Sequence, residues 1–259
     1  MKSLTLSVVS HGQGALLVRL LGDLRANPSL TASTVIVTLN LEEAFDPVAF
    51  KPLRIKVVRN ASPKGFGANH NAAFSLCDTE WFAVLNPDLR VPEDPWPALF
   101  AASVRWPNLA LIAPRVLGST GLPEDAVRPN LTPLSVLTRR FHRRLAPMLV
   151  VGPTQIGNRF YWLAGMFLLL RASAFRAIGG FDERYFMYCE DYDLCARLYT
   201  AGYGLAVVPG AAVVHAAQRD SHRALQPLRW HFSSLLKVWT SGVFWRVTLR
   251  LIPVPRTPK

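Results

Sequence analysis

The sequence predicts an α/β fold: a mostly parallel central sheet flanked by helices, followed by a basic helical C-terminal extension. Three observations carry this expectation. Apolar runs of strand length recur at 4–10, 34–39, 54–59 and 80–85, helical patterns fall between them, and each run ends in polar or glycine-bearing residues. Strands that alternate with helices return in the same direction, because each helix carries the chain back across the sheet. In such sheets ligands sit beyond the carboxyl ends of the strands, so the polar strand ends converge on one crevice.

The elements follow in order. The first strand opens onto His11-Gly12-Gln13-Gly14. Ala15, Leu16, Val18, Leu20, Leu21 and Leu24, with Arg19, Asp23 and Arg25 interspersed, predict an amphipathic helix that ends before Asn27-Pro28. The second strand ends at Asn40-Leu41-Glu42-Glu43. The third is followed by Asn60 and a loop from Lys64 to Asn71, which leads into a helix over 72–76. The fourth ends at Asn86-Pro87-Asp88. Beyond residue 100 the pattern loosens among Pro107, Pro114, Pro123, Pro129, Pro133, Pro147 and Pro153, and an insertion or acceptor loop is expected there. The run 161–170 predicts a strand, 172–177 a short helix and Gly179-Gly180 a turn. A helix is expected from near Cys189 to Gly202, then strands over 204–208 and 211–214, then mostly helix over 226–251. The chain divides into a main domain over residues 1–225 and an extension over 226–259.

Composition bounds the function. With 259 residues, 50% hydrophobic and 18% charged, the chain is globular rather than disordered. Cys77, Cys189 and Cys195 form no CxxC pair, which argues against a disulfide framework or a zinc knuckle and for a reducing cytoplasm. The N-terminus reads as a first strand rather than a signal segment. The longest uncharged apolar stretch, 160–170, is about half of the ~20 residues a membrane-spanning helix needs. The net charge of +12 is uneven: one cluster runs over 139–144, and eight basic residues face one acid, Asp220, from His215 onward. Nucleic acid, an anionic membrane surface and a phosphorylated substrate all suit such patches.

The strongest chemical signal is the stretch from Gly179 to Arg197, which packs acids at a helix start after a glycine turn. Capping by the helix dipole accounts for one acid, and Asp193 with Arg197 reads as an i,i+4 ion pair on the outer face. Glu190 and Asp191, adjacent and flanked by aromatics, exceed that need and are candidates for acid–base work. Asp88 offers one hard oxygen ligand where the crevice opens, as Mg²⁺ or Mn²⁺ bridging a diphosphate requires; an Asp after Pro is also an ordinary turn residue. His215, ending an apolar strand, reads either as a half-buried histidine or as a second ligand beside Asp88. The loop with Lys64 offers N–H groups and a cation to phosphate, without the spacing of a P-loop or a dinucleotide fingerprint.

In order, Ser7-Val8-Val9-Ser10-His11, Asn60, Lys64 to Asn71, Leu85 to Asp88, Trp162 to Phe167, Gly180 to Glu183, Glu190 to Arg197 and Val214-His215 resemble glycosyltransferase family 2. This is the inverting group with the Rossmann-like GT-A fold, here closest to its rhamnosyltransferase-like branch. The resemblance covers residues 3 to about 225. It implies that Asp88 holds the divalent cation with His215, and that Asp191 is the base with Glu190 beside it. It implies further that Ser10, Asn40, Lys64, Asn69 and Asn86 line the nucleotide-sugar pocket, and that Trp162 with Gly165 shapes the sugar or acceptor end. Where the family has an Asp-Asn-like pair after the second strand, this chain has Asn40-Leu41-Glu42; Asn40 can bond a pyrimidine and Glu42 can substitute for the acid.

The expected partners are a nucleotide diphosphate sugar, with rhamnose a candidate, and a glycan or lipid-linked acceptor of cell-surface polysaccharide; no nucleic acid is expected. For the basic aromatic tail two readings stand: it rests on the anionic inner face of the cell membrane, or it packs on the domain. Two rival functions are a metal-dependent sugar nucleotidyltransferase and a non-catalytic nucleic-acid-binding module. The first wants a Gly-rich, basic loop directly after the first strand. The second has no use for paired acids at a helix start.

Overall fold

The computed structural model describes residues 3–142, 160–216 and 225–249. Its centre is an eight-stranded sheet of order β3-β2-β1-β4-β9-β6-β10-β5. The strands are β1 (Leu4–Ser10), β2 (Thr34–Leu39), β3 (Arg54–Arg59), β4 (Trp81–Leu85), β5 (Leu89–Arg90), β6 (Leu109–Gly118), β9 (Phe167–Arg171) and β10 (Gly204–His215). A separate antiparallel ribbon joins β7 (Val127–Pro129) to β8 (Tyr161–Leu163). The helices are α1 (Gly14–Arg25), α2 (Phe66–Phe74), α3 (Trp96–Arg105), α4 (Pro133–His142), α5 (Ala172–Ala177), α6 (Glu190–Thr200), α7 (Leu225–Thr240) and α8 (Gly242–Thr248).

The first four long strands run parallel, with β1 between β2 and β4, so the strand order reverses beside β1. That reversal opens the crevice at the carboxyl ends, where Ser10, Asn40, Asn60 and Asn86 follow or end their strands. Helix α1 covers the sheet with Leu17, Leu20, Leu21 and Leu24, all buried, each contributing about 2 kcal/mol by leaving water. Of the stripe read from the sequence, Leu20, Leu21 and Leu24 lie on this face, whereas Ala15 and Val18 are exposed, Leu16 is half-buried and Leu17 takes the inward position. The three cysteines are buried and free of disulfides.

Four expectations need correction. The loop over 64–71 is helical from Phe66 onward, because Gly65 takes an extended conformation and starts α2 six residues earlier than the pattern suggested. The region after residue 100 is not a loose insertion: it holds α3 and the ten-residue strand β6. Pro114 masked β6 as a strand breaker, yet it lies where the register of β10 shifts between Val208 and Ala212. At that bulge the ladder is interrupted, so proline's missing N–H costs little. The run 161–170 is two strands, β8 and β9, parted by a turn at 164–166, and β9 enters the sheet antiparallel to both β4 and β6. Finally, 204–215 is a single bulged strand rather than two.

Helices α7 and α8 share the core of the main sheet domain through Leu235, Val238, Phe244 and Val247. They are tied to it by Ser234 Oγ donating to the Met187 carbonyl at 2.9 Å and Trp239 Nε1 donating to the Leu131 carbonyl at 2.7 Å. No helix among the described residues is long and apolar enough to cross a membrane. Side chains of the basic cluster over 139–144 lie outside the described residues.

Candidate active site

The acids at the start of α6 are placed by an unusual backbone. Gly179 and Gly180 adopt φ of 79° and 73°, and a Cβ on Gly180 would fall 2.5 Å from Asn71 Oδ1. Asn71 is fixed there by accepting from the Phe181 N–H and donating to the Phe181 carbonyl, both at 2.9 Å. Tyr188 and Cys189 then take left-handed φ values of 70° and 65°, a conformation that costs a side-chain-bearing residue about 1–2 kcal/mol each. This kink turns the chain into α6 with Glu190 and Asp191 pointing inward, 6% and 9% exposed.

Asp191 is held at both oxygens: Oδ2 accepts from the Gly165 N–H and Oδ1 from the Tyr192 N–H, each at 2.9 Å. Burial raises its pKa, while the Arg128 guanidinium and these N–H donors pull the other way. Glu190 is raised well above the usual carboxylate range, by burial first and by the Asp191 charge second, and its Oε2 has no hydrogen-bond partner. Of the two, Asp191 is the group equipped to stay ionised and Glu190 the one pushed to neutrality. Asp193 does pair with Arg197, at 2.7 Å, but not on an outer face: it is 3% exposed. Arg197 also donates to the carbonyls of Ile178 and Gly180 at 2.8 and 2.7 Å, so the pair locks the glycine turn against α6.

At the end of β4, the Asp88 carbonyl accepts from the Ala216 N–H at 2.9 Å, which seats Asp88 beside the end of β10. His215 there faces carboxylates at both ring nitrogens: Nε2 lies 3.0 Å from Asp88 Oδ2 and Nδ1 lies 2.8 Å from Glu124 Oε2. Burial opposes the charged imidazolium, but the two carboxylates, Asp88 foremost, raise the pKa to about 9. Asp88 Oδ1 is buried without a partner. An orphaned hard oxygen beside an imidazole suits a divalent cation that completes its shell with phosphate oxygens and water. Among the described residues no group of three or more His, Cys, Asp or Glu side chains could hold an ion by itself.

The asparagines of the strand ends form a chain. Asn40 Oδ1 accepts from Asn60 Nδ2 and from the Lys64 N–H, both at 2.8 Å, and Asn40 Nδ2 donates to the Lys64 carbonyl at 2.9 Å. Asn60 Nδ2 also donates to Asn69 Oδ1 at 2.6 Å, and Asn69 Nδ2 donates to the carbonyls of Lys64 and Gly65. These amides are engaged within the chain and clamp the Lys64-Gly65 turn, leaving the Lys64 side chain exposed. Ser10 is fully buried, its Oγ accepting from the Gln13 N–H at 3.1 Å at the start of α1. Glu42 is exposed, whereas Glu43 turns back to accept from the Gly12 N–H at 3.3 Å. Trp162 is buried under the Arg128 guanidinium, which lies 5.0 Å from its ring centre, and its Nε1 donates to the Pro129 carbonyl at 2.9 Å.

One turn brings the two halves of the site together. The Asn86 N–H donates to the Met166 carbonyl at 2.9 Å, one residue from the Gly165 N–H that holds Asp191. The same turn is pinned by the Ala164 N–H donating to the Ala126 carbonyl at 2.8 Å. The segment between β6 and β8 therefore supplies Glu124 to His215, Ala126 to the turn and Arg128 to Asp191. Sequence reasoning missed Glu124 and Arg128. An acid in the turn Gly121-Leu122-Pro123-Glu124, just beyond a strand, is the signal that could have found the first, had β6 been recognised.

Residues 98–256 match the family model described as "Glycosyl transferase family group 2". The N-acetylglucosaminyl-diphospho-decaprenol L-rhamnosyltransferase of Mycobacterium tuberculosis (strain ATCC 25618 / H37Rv) is 37% identical over 147 residues, 52% of this chain and 47% of that protein. The rhamnosyltransferase WbbL of Escherichia coli (strain K12) is 46% identical over 77 residues, 29% of each. The chain thus spans about half the length, or less, of these curated relatives. The fold is shared with a mannosyltransferase from Pyrobaculum calidifontis solved with GDP-Man and Mn²⁺, at a TM-score of 0.62 and 15% identity, covering 94% of this chain and 67% of that one. It is shared also with GalNAc-T7 solved with UDP, GalNAc and Mn²⁺, at a TM-score of 0.65 and 15% identity, covering 88% of this chain and 46% of that one.

Proposed function

We propose, since the chain belongs to glycosyl transferase family group 2, that it moves a sugar from a nucleotide diphosphate donor to a glycan or lipid-linked acceptor, with inversion at the anomeric carbon. Likeness to the rhamnosyltransferases favours rhamnose as the sugar and cell-surface polysaccharide as the destination. The observation that carries the reading is the turn at 164–166, which bonds the Asp88 loop on one side and Asp191 on the other. A carboxylate base and a diphosphate site must lie on opposite sides of one sugar, and this turn joins the two.

Asp191 takes the proton from the acceptor hydroxyl as that oxygen bonds to the anomeric carbon and the bond to the diphosphate breaks on the opposite face. Arg128 and the two N–H donors favour its ionised form against the burial that raises its pKa. Asp88 and His215 are the residues that would hold a divalent cation, Mg²⁺ or Mn²⁺, with Asn86 beside them. A cation bound there supplies neutralisation of the charge that develops on the leaving diphosphate. Lys64, exposed on its clamped turn, is the cation this loop would offer to the donor's phosphates. Trp162 shapes the sugar end through Arg128 and the ribbon it supports. The deciding experiment offers nucleoside-diphosphate rhamnose and a set of other nucleotide sugars with a polyprenyl-diphosphate N-acetylglucosamine acceptor, and reads product configuration by NMR. An inverted rhamnoside is the expected product; retention, or no transfer from any donor, overturns the reading.

Helices α7 and α8, with the residue that follows them, leave Phe232, Leu236, Trp245 and Leu249 exposed, and the exposed Arg229 and Arg246 lie on the same two helices. We infer a cytoplasmic enzyme that rests by this surface on an anionic membrane, where a lipid-linked acceptor lies. Sedimentation with anionic vesicles should be strong at low salt and lost at 1 M, where the Debye length falls to ~3 Å. The double variant Phe232→Ser, Trp245→Ser should weaken it at least several-fold. Equal sedimentation of variant and wild type would remove these helices from the membrane contact.

A further inference from the structure

We propose that Glu124 is a positioning residue for His215: it holds the imidazole by Nδ1 and thereby directs Nε2 at the place it shares with Asp88. The inference rests on the reading of Asp88 and His215 as cation ligands.

The geometry is specific at each step. His215 is the last residue of β10, paired with Gly118 on one side and Leu89 on the other, so its backbone has no freedom left. What remains is rotation of the ring, and a ring can present either nitrogen to Asp88. The Glu124 carboxylate, 2.8 Å from Nδ1, removes that choice. Glu124 can do so because its own main chain is fixed. Its N–H donates to the Val116 carbonyl at 2.9 Å, Leu117 bridges to Pro123, and the Gly118 N–H donates to the Leu122 carbonyl at 2.8 Å. Gly118 also provides the room: a Cβ there would sit 3.2 Å from Glu124 Oε1.

The chemistry favours the same assignment. A carboxylate that accepts from Nδ1–H leaves the lone pair of the neutral ring on Nε2, the nitrogen that faces Asp88. Histidines that bind metals commonly carry such a carboxylate on their other nitrogen, and its loss lowers metal affinity by roughly 10- to 100-fold. Glu124 lies on the far side of the ring from Asp88, which places it behind the ligand rather than beside it.

The test is a Mn²⁺ titration followed by electron paramagnetic resonance, on wild type, Glu124→Ala, Glu124→Gln and Asp88→Asn, each with Mn²⁺ alone and with added UDP or dTDP. Glu124→Ala is expected to bind Mn²⁺ about 10- to 100-fold more weakly, and Glu124→Gln to lose only a few-fold, because an amide oxygen still accepts from Nδ1–H. Wild-type affinity in Glu124→Ala together with loss in Asp88→Asn overturns the role of Glu124 alone. A loss in Glu124→Gln as large as in Asp88→Asn makes Glu124 a direct ligand and overturns positioning. Unchanged affinity in Asp88→Asn, or no Mn²⁺ bound by the wild type under any of these conditions, overturns the cation-site reading itself. Should Glu124→Ala fail to fold, the Glu124→Gln titration still separates these outcomes.

Discussion

Asp191→Asn is expected to lower kcat by a factor on the order of 10² to 10⁴, with little change in donor affinity. That range corresponds to about 3–5 kcal/mol of transition-state stabilisation lost. The physical case rests on how the paired acids are treated differently by their surroundings. Both are buried, which disfavours charge on either, but Asp191 has two backbone N–H donors and the nearby Arg128, whereas Glu190 has an oxygen without a partner and the charge of Asp191 against it. A proton offered to the pair settles on Glu190 first. Glu190→Gln should therefore be milder than Asp191→Asn, since it replaces a group already near neutrality. Burial also moves the base upward, so the acid limb of the kcat profile should lie above the ordinary carboxylate range. The amide of Asp191→Asn must set an NH₂ against one of the two N–H donors, at a cost of about 1–3 kcal/mol in stability. Thermal midpoints must accompany the kinetics for that reason. Near-normal kcat in a folded Asp191→Asn would move the base to Glu190.

Wild-type stability is expected to fall by about 3 kcal/mol more than that of His70→Gln as the pH drops from 7 to 4. His70, on α2, is 1% exposed, with Nδ1 2.8 Å from Ser7 Oγ and the Phe66 ring centre 4.5 Å from its own. Its Nε2 is buried without a partner, and burial depresses its pKa to about 3. The sign follows from which state takes the proton. Below the unfolded value of ~6.5 the unfolded chain binds a proton that the folded chain refuses, so this stability is present above ~6.5 and lost as pH falls toward 3. The loss runs at about 1.4 kcal/mol per pH unit, a large share of a typical total of ~5–15 kcal/mol. Glu190, Asp191 and Asp193 are raised and act in the opposite sense, but they are common to both proteins and cancel in the difference. Urea unfolding at several pH values reads it directly, and parallel stability curves for the two proteins would show that His70 does not titrate as its burial demands.

Strands β1, β2 and β3 and helix α5 lie where the pattern of apolar residues put them, because alternation and helical period are local properties of the chain. Strand β6 was illegible for a nonlocal reason: Pro114 is acceptable only because β10 bulges opposite it, and that partner lies some ninety residues away. The Asp193–Arg197 pair was legible from its spacing, but its face was not. Helix α6 is wrapped by β8, β10 and α8, which leaves no outer face over its first turns.

The sequence by itself determined the alternation of strands and helices over residues 4–85, the acids and histidine at the carboxyl edge, and the family those motifs resemble. These depend on residue type and on distance along the chain, which are written in it. The tertiary structure alone decided that Asp191 meets two N–H donors while Glu190 Oε2 has no partner, that Asn40 and Asn69 turn inward to clamp the Lys64 turn, and that Glu124 stands behind His215. Charge state and hydrogen-bond partner are set by desolvation and by groups that meet through space. Glu124 and His215 are separated by 91 positions in sequence and 2.8 Å in the fold, and only the pairing of β6 with β10 closes that gap.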